Sequence, residues 1–435
     1  MLLNVFTPAD ALGKPSAKLP VLLWVHGGAY QTGSSNDYDA TSLVAFLGGK
    51  AAVVTINYRL HIFGFLGSSK LRHRDAASGS TGMYGLQDQR AAFEWVKRNA
   101  ASFGGDPERI TIFGESAGAG SVSAHLVLPK SAGLFGGAII ESGSFGAWAA
   151  RPLQHAEAIY AQVLDAAHCA DDGCLASRPT ANLTSVVTTI PAGMCCDQLP
   201  GTPYIPWAPT LDGVEWSVHP YLLAAAGNLS SKVPIMQGTN RDEGATFEPL
   251  GMLVSTKALS RAWAKWYGPS LGADVAAKLT SLYLTNASYP AGGGTKAWWA
   301  AQRSLTMQTF AVGARMLSRS MSTTVPIFQY LFSPATHKVV YHGDEVPFVF
   351  LDATVPHTDE DAQLAATMAS MWAAFAASGD PSIDGVRWPR YSDAADGPYL
   401  RLDVAQSGRG ITAENGFMAA AWPLFSKWSQ EVLRE

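Results

Sequence analysis

The chain has 435 residues, of which 47% are hydrophobic and only 15% charged, so it can bury a large core and lacks the charge-rich signature of a disordered protein. Thirty-one Lys and Arg against thirty-five Asp and Glu give a formal net charge of -4 with no basic block, which argues against a nucleic-acid partner. No apolar run approaches the roughly 18 to 20 residues that cross a bilayer, the Ala-rich stretch from Asp361 to Ala377 being interrupted by polar residues, so no transmembrane anchor is expected.

Met1 to Pro8, MLLNVFTP, reads strand-like at once, without the basic n-region or small-residue cleavage site of a secretory signal. The expectation is either a cytoplasmic protein or a chain whose beginning is missing. Short apolar runs follow at Pro20 to Val25, Ala51 to Ile56, Arg109 to Phe113, Gly137 to Ile140, Val233 to Gln237 and Pro326 to Phe332. They lack the alternation of a one-sided sheet and suit strands covered on both faces. Between two of them, Leu86, Phe93, Val96, Ala100 and Phe103 fall on one helical stripe, which Gly104, Gly105 and Pro107 stop. Strand alternating with helix predicts a mostly parallel α/β sheet flanked by helices, with its chemistry at the carboxyl ends of the strands. Pieces rich in Pro and Gly near Pro191 to Pro209 and Ala291 to Gly294 are short enough to be loops, so residues 1–435 read as one domain. A helical excursion from about Phe247 to Met321 would cover the active edge, its Trp263, Trp266, Trp298 and Trp299 serving mainly as packing.

Ile110 to Gly118, ITIFGESAG, runs an apolar strand into G-x-S-x-G and then into small residues that can start a helix. On such a tight turn the residues two before and two after the serine must be Gly, because side chains there would collide. Gly114 and Gly118 fill those places around Ser116, the candidate nucleophile. The N–H of Ala117, opening the helix, then suits a developing oxyanion. Val21 to Ala29, VLLWVHGGA, ends a second strand in a loop of the HGGG type, whose Gly28 and Ala29 N–H groups would complete the oxyanion hole. His26 precedes the serine, contrary to the chain order of nucleophile, acid and base, and reads as a loop-orienting residue.

The base must follow an acid that follows Ser116, and the histidines after Ser116 are His125, His155, His168, His219, His337, His342 and His357. His125, His155 and His168 lie in helical or Cys-loop surroundings, and His337 and His357 sit in polar segments and read as solvated. His342, in VVYHGDEVPF after an apolar strand, is the candidate base. The strand VPIMQGT is followed by Asn240, Arg241, Asp242, Glu243 and Gly244, and on spacing both Asp242 and Glu243 qualify as the acid. Four cysteines, Cys169, Cys174, Cys195 and Cys196, have no His at zinc-ligand spacing, and the chemistry needs neither metal nor organic cofactor. Sequons at Asn182, Asn228 and Asn286 point to an extracytoplasmic protein; accidental sequons and reduced thiols in the cytoplasm are the alternative.

In order, LNVFTP, VHGGAY, INYR with FGFL, GLQDQRAAFEWV, FGGDP, TIFGESAG, NRDEG, YHGDEVPFVF and SGDP resemble the type-B carboxylesterase family of carboxylesterases, cholinesterases and some lipases, across nearly the whole chain. The resemblance implies the α/β-hydrolase fold and a serine hydrolase of small carboxylic esters, short- to medium-chain or aryl. It selects Glu243 over Asp242 as the acid, with Ser116 and His342 as its partners. It further implies that Ser142 of ESGS supports the acid, that Glu115 is the family's acidic neighbour of the nucleophile, that Arg59 and Asp88 form a buried ion pair, and that Cys169 pairs with Cys174. By resemblance Ile205 and Trp207, in the segment Thr202 to Pro209, line the acyl pocket, with packing as the equal alternative, and Trp148 faces the same gorge. The family's segment before LNVFTP, with an edge hairpin, a first disulfide loop and the choline site of cholinesterases, is absent, which removes any visible basis for choline specificity. A secreted or ER-lumenal protein is implied. The alternatives are a lipase acting on longer acyl esters and an inactive adhesion relative; oligomeric state is not legible.

Overall fold

The computed structural model describes residues 2–190, 205–247, 255–291, 294–352, 358–405 and 410–433. Cys195, Cys196, residues 202–204 of the pocket segment and His357 lie outside the described residues.

Among the described residues, nine strands form the sheet: β1 (Leu3–Phe6), β2 (Leu19–Val25), β3 (Ala52–Ile56), β4 (Gly105–Glu115), β5 (Gly137–Glu141), β6 (Ile235–Asn240), β7 (Ile327–Phe332), β8 (Tyr399–Leu402) and β9 (Thr412–Glu414). Their order is β1-β3-β2-β4-β5-β6-β7-β8-β9. From β3 to β8 every pairing is parallel, and only the edge strands β1 and β9 run antiparallel. The six apolar runs therefore lie where the sequence puts them, and the reason they do not alternate with polar residues is visible in the packing. Val21, Leu23 and Val25 of β2, with Ile110 and Ile112 of β4, enter one apolar cluster, while Leu22, Trp24 and Phe113 enter another. Each face of the sheet has its own core, so both phases of the strand must be apolar.

Helices close both faces. The predicted stripe forms α1 (Tyr84–Asn99), whose Leu86, Phe93 and Val96 are buried, and its last turn tightens to a 3₁₀ helix before Gly104 takes a left-handed φ of 77°. β4 runs into α2 (Ala117–Val127), a helix with every residue buried. After β6 come α3 (Thr256–Leu271), α4 (Lys296–Thr306) and α5 (Val312–Met321), the last two joined by a π-helical turn over Met307–Ala311. Trp263, Trp298 and Trp299 within this excursion are buried, consistent with packing. On the opposite face α6 (Asp359–Ser378) contributes Leu364, Met368, Trp372 and Phe375 to the second core.

The Arg59–Asp88 pair forms, with Nε–Oδ2 at 2.7 Å and Nη2–Oδ1 at 2.9 Å, but it is not buried: the Arg59 side chain is 52% exposed. It lies on the rim of an open groove with Ile62, Phe63, Tyr84 and Leu175, its guanidinium over the Tyr84 ring, so water screens most of its contribution.

Candidate active site

The turn from β4 to α2 holds Ser116 at φ 55° and ψ -121°, a strained geometry for a non-glycine residue. Two glycines permit it. A Cβ on Gly114 would stand 2.5 Å from the Val25 carbonyl oxygen, and one on Gly118 would stand 2.0 Å from the same atom. The Ser116 N–H donates to the Glu141 carbonyl at 2.9 Å, tying the turn to the end of β5. Gly27 is pressed against the turn, where an added Cβ would meet Glu115 Oε2 at 2.8 Å and Ser116 Cβ at 3.1 Å. Gly28 and Ala29 follow with positive φ of 102° and 55°, and among the described residues their N–H groups donate to no protein acceptor. Ala117 opens α2, and the first N–H groups of a helix lack intrahelical acceptors. His26 packs beneath this loop: Nδ1 contacts the Gly27 carbonyl at 2.9 Å, the ring stacks on Tyr58, and burial holds its pKa below the ordinary value.

Glu243 and His342 meet from separate segments. Glu243 sits in the turn after β6, fully buried, and accepts a 2.5 Å hydrogen bond from His342 Nδ1 at Oε2. Its Oε1 accepts from Ser142 Oγ and from the Asn240 N–H, both at 2.6 Å. Asp242, equally eligible by spacing, turns away onto Arg241, Gln302 and Arg303. The other imidazole nitrogen, Nε2, lies 3.1 Å from Glu115 Oε1, near enough for an ion pair but not aligned as a hydrogen bond. Among the described residues Ser116 Oγ makes no hydrogen bond with His342, and such contacts often tighten only around substrate.

Among the described residues, buried carboxylates crowd this end of the sheet: Glu115, Glu141, Asp242, Glu243 and Glu345. Burial pushes Glu115 up to about 7 and Glu141, whose Oε1 accepts from Trp372 Nε1, up to about 8. Glu345 is raised well above the carboxylate range by burial and by its acidic neighbours, although Asn240 Nδ2 donates to it. Burial disfavours a charged His342, but the Glu115 and Glu243 carboxylates outweigh it and lift the pKa to about 9. Because its carboxylate neighbours raise the pKa, a protonated His342 must first lose its second proton before Nε2 can act as a base.

Aromatic rings flank His342. Phe310 lies 4.6 Å and Phe247 5.3 Å from it between centroids, and Trp148 meets Phe310 edge-on at 6.3 Å while its Nε1 donates to the Thr309 carbonyl. Trp148 thus lies one ring from His342. Ile205 and Trp207 are buried in the same apolar cluster as Trp148 and Ala117. Sequence reasoning gave no role to Phe247, Phe310, Asn240 or Glu345; Asn240 stands in NRDEG and Glu345 in YHGDEVPFVF, but nothing in the spacing marks the two phenylalanines. It also misread His337, which is not solvated: its side chain is 16% exposed, edge-on to Phe348, with Nε2 3.5 Å from Asp361. His125 is fully buried between Ser131 Oγ and Gln89 Oε1. A disulfide joins Cys169 and Cys174.

Comparison with known proteins agrees with this architecture. A profile of the carboxylesterase family matches residues 1–418. The para-nitrobenzyl esterase of Bacillus subtilis (strain 168) is 33% identical over 411 residues, covering 90% of this chain and 77% of that protein. The cocaine esterase of Homo sapiens is 31% identical over 441 residues, covering 95% and 73%. Among solved structures, a carboxylesterase of Geobacillus stearothermophilus superposes with a TM-score of 0.81 at 31% identity, over 97% of this chain and 85% of that one. A PNB esterase gives 0.78 at 30% identity, over 99% and 84%. The chain therefore belongs to the carboxylesterase family and is a carboxylic-ester hydrolase with the α/β-hydrolase fold.

Proposed function

We propose that the chain is one catalytic domain in which Ser116 is the nucleophile, His342 the general base and Glu243 the acid that orients it. The observation that carries this reading is the position of His342, bonded through Nδ1 to buried Glu243 while Nε2 faces the turn that bears Ser116. The bond to Glu243 fixes the proton on Nδ1 and leaves Nε2 to take the Ser116 proton as Oγ attacks the ester carbonyl. The N–H groups of Gly28, Ala29 and Ala117 hold the oxyanion. His342 then protonates the departing alcohol, and a water deprotonated by the same nitrogen releases the acid from Ser116. Ser142 holds Glu243 in place, and Glu115 supplies negative charge beside the imidazolium.

The substrates are short- to medium-chain or aryl esters. Phe247, Phe310 and Trp148 give the base an aromatic surround suited to a flat ring, and a relative carries the name para-nitrobenzyl esterase. Ile205 and Trp207 serve as the inner wall of the acyl pocket. Secretion with glycosylation at Asn182, Asn228 and Asn286 fits their exposed positions and the Cys169–Cys174 disulfide. Rates on p-nitrophenyl esters of increasing chain length, for the wild type and Ser116→Ala, test the reading. The expected result is a preference for short chains and a loss on the order of 10⁴-fold or more in the variant with its fold intact. A loss of only a few-fold rules out Ser116, and activity confined to emulsified long-chain esters indicates a lipase.

A further inference from the structure

Both acidic residues after β6 are fully buried, yet of the two only Glu243 bonds to His342. Asp242 is engaged on all sides. Its Oδ1 accepts from Arg303 Nε at 2.5 Å and Gln302 Nε2 at 3.0 Å, both on α4. Its Oδ2 accepts from Arg241 Nε at 2.8 Å and from the Val340 N–H at 3.2 Å, while its own N–H donates to the Val340 carbonyl at 3.0 Å. Arg241 Nη2 continues the chain to the carbonyls of His337 and Lys338. One carboxylate therefore joins three segments: the turn bearing Glu243, the loop that delivers His342 and the first helix of the π-linked pair in the excursion. The surroundings repeat the pattern. The Gly244 N–H donates to Thr306 Oγ1, a Cβ on Gly244 would stand 2.1 Å from the Gln302 carbonyl oxygen, and the His342 N–H donates to Thr246 Oγ1 at 3.0 Å.

We propose that Asp242 is a positioning residue: gripped by Arg303 and Arg241, its buried carboxylate sets the separation and angle between Glu243 and His342, and so makes α4 part of the acid–base assembly. The inference rests on the assignment of Glu243 and His342 given above. Burial opposes an ionised Asp242, but Arg303 and Arg241 hold its carboxyl below the usual range, so the joint stays charged where the enzyme works. A buried charge that loses a partner must move or neutralise, and here moving drags the Glu243 turn with it. His342 is faced by Glu115 from the nucleophile turn, by Glu243 from the acid turn and by Asp344 from its own loop. Slackening only the Glu243 contact removes part of what raises its pKa.

Arg303→Met tests this, since the Arg303 side chain is 30% exposed and can be shortened at the rim of the core. Wild type, Arg303→Met and Arg303→Lys are titrated for active sites with a fluorophosphonate, then kcat and KM for a p-nitrophenyl ester are followed against pH. The expected result for Arg303→Met is a kcat per titrated site lower by about tenfold or more, a KM within about twofold, and an acid limb moved to lower pH. Arg303→Lys restores most of both, because the charge returns. A wild-type kcat and acid limb per titrated site, with only the melting temperature lowered, overturns the proposal and leaves Asp242 a plain structural ion pair. If Arg303→Met does not fold, Arg241→Met removes the other cation and is read in the same way. A wild type that takes up no fluorophosphonate defeats the Ser116 assignment and this inference with it, an outcome distinct from a normal wild type with an unchanged variant.

Discussion

The two halves of the site are held by different physics. On the nucleophile side, Gly27, Gly114 and Gly118 let backbone approach backbone within distances that any Cβ would block, and Ser116 takes its strained φ because β4 and α2 leave it no other path. On the side of the proposed acid and base, Glu243 and His342 come from segments 99 residues apart, and what joins them is a network in which buried Ser142, Asn240 and Asp242 are continued toward the surface by Thr246 and Arg303. Steric exclusion gives the first half little freedom to adjust. The second half is held by charges and hydrogen bonds, so it can loosen by degrees and respond to pH.

The variants that separate the halves differ in size of effect. Glu243→Gln leaves the shape of the acid turn but reverses one hydrogen-bond role at His342 Nδ1, and kcat is expected to fall by about 10⁴-fold, as when a triad acid becomes an amide. An activity close to wild type would move the acid elsewhere. Gly118→Ala places a methyl 2.0 Å from the Val25 carbonyl oxygen, so the turn must shift, and a displacement near 1 Å is expected to cost about 10²-fold in kcat. If kcat/KM is unchanged, the steric account of the nucleophile turn is wrong. Ser142→Ala removes the 2.6 Å bond to Glu243 Oε1, but the Asn240 N–H still serves that oxygen. The expected loss is about tenfold, in line with one hydrogen bond to a charged acceptor.

Glu115→Gln changes the rate least and the pH profile most. If His342 is the base as proposed, only its neutral form takes the Ser116 proton, and activity is expected to appear as pH rises through the imidazole pKa, which burial lowers but two carboxylates raise to about 9. Deleting the Glu115 charge lowers that pKa, and the acid limb of kcat/KM is expected to move to lower pH. A limb that stays in place would mean that Glu115 carries no charge when His342 titrates.

The same contrast explains what the sequence made legible. The strands, α1 and the nucleophile turn follow from local patterns, because apolar runs, a helical stripe and glycines at fixed offsets each have a nearby cause. Asp242 and Glu243 could not be told apart by spacing, since their roles depend on whether α4 or the His342 loop lies on a given side, and that is a tertiary fact. His337 was misread because its polar neighbours in sequence are not its neighbours in space; it lies against Phe348 and Asp361. Phe310 reaches His342 from a π-helical turn, a local irregularity that no hydrophobic period announces. The exposure of Arg59 likewise depends on what covers the groove around it.

Ser116 is proposed to stand activated in a site assembled by two distant segments. Intact mass after treatment with a fluorophosphonate, on the wild type alongside Ser116→Ala, tests it most directly. A single adduct on the wild type and none on the variant is the predicted result. An adduct on both, or on neither while both remain folded, would contradict it.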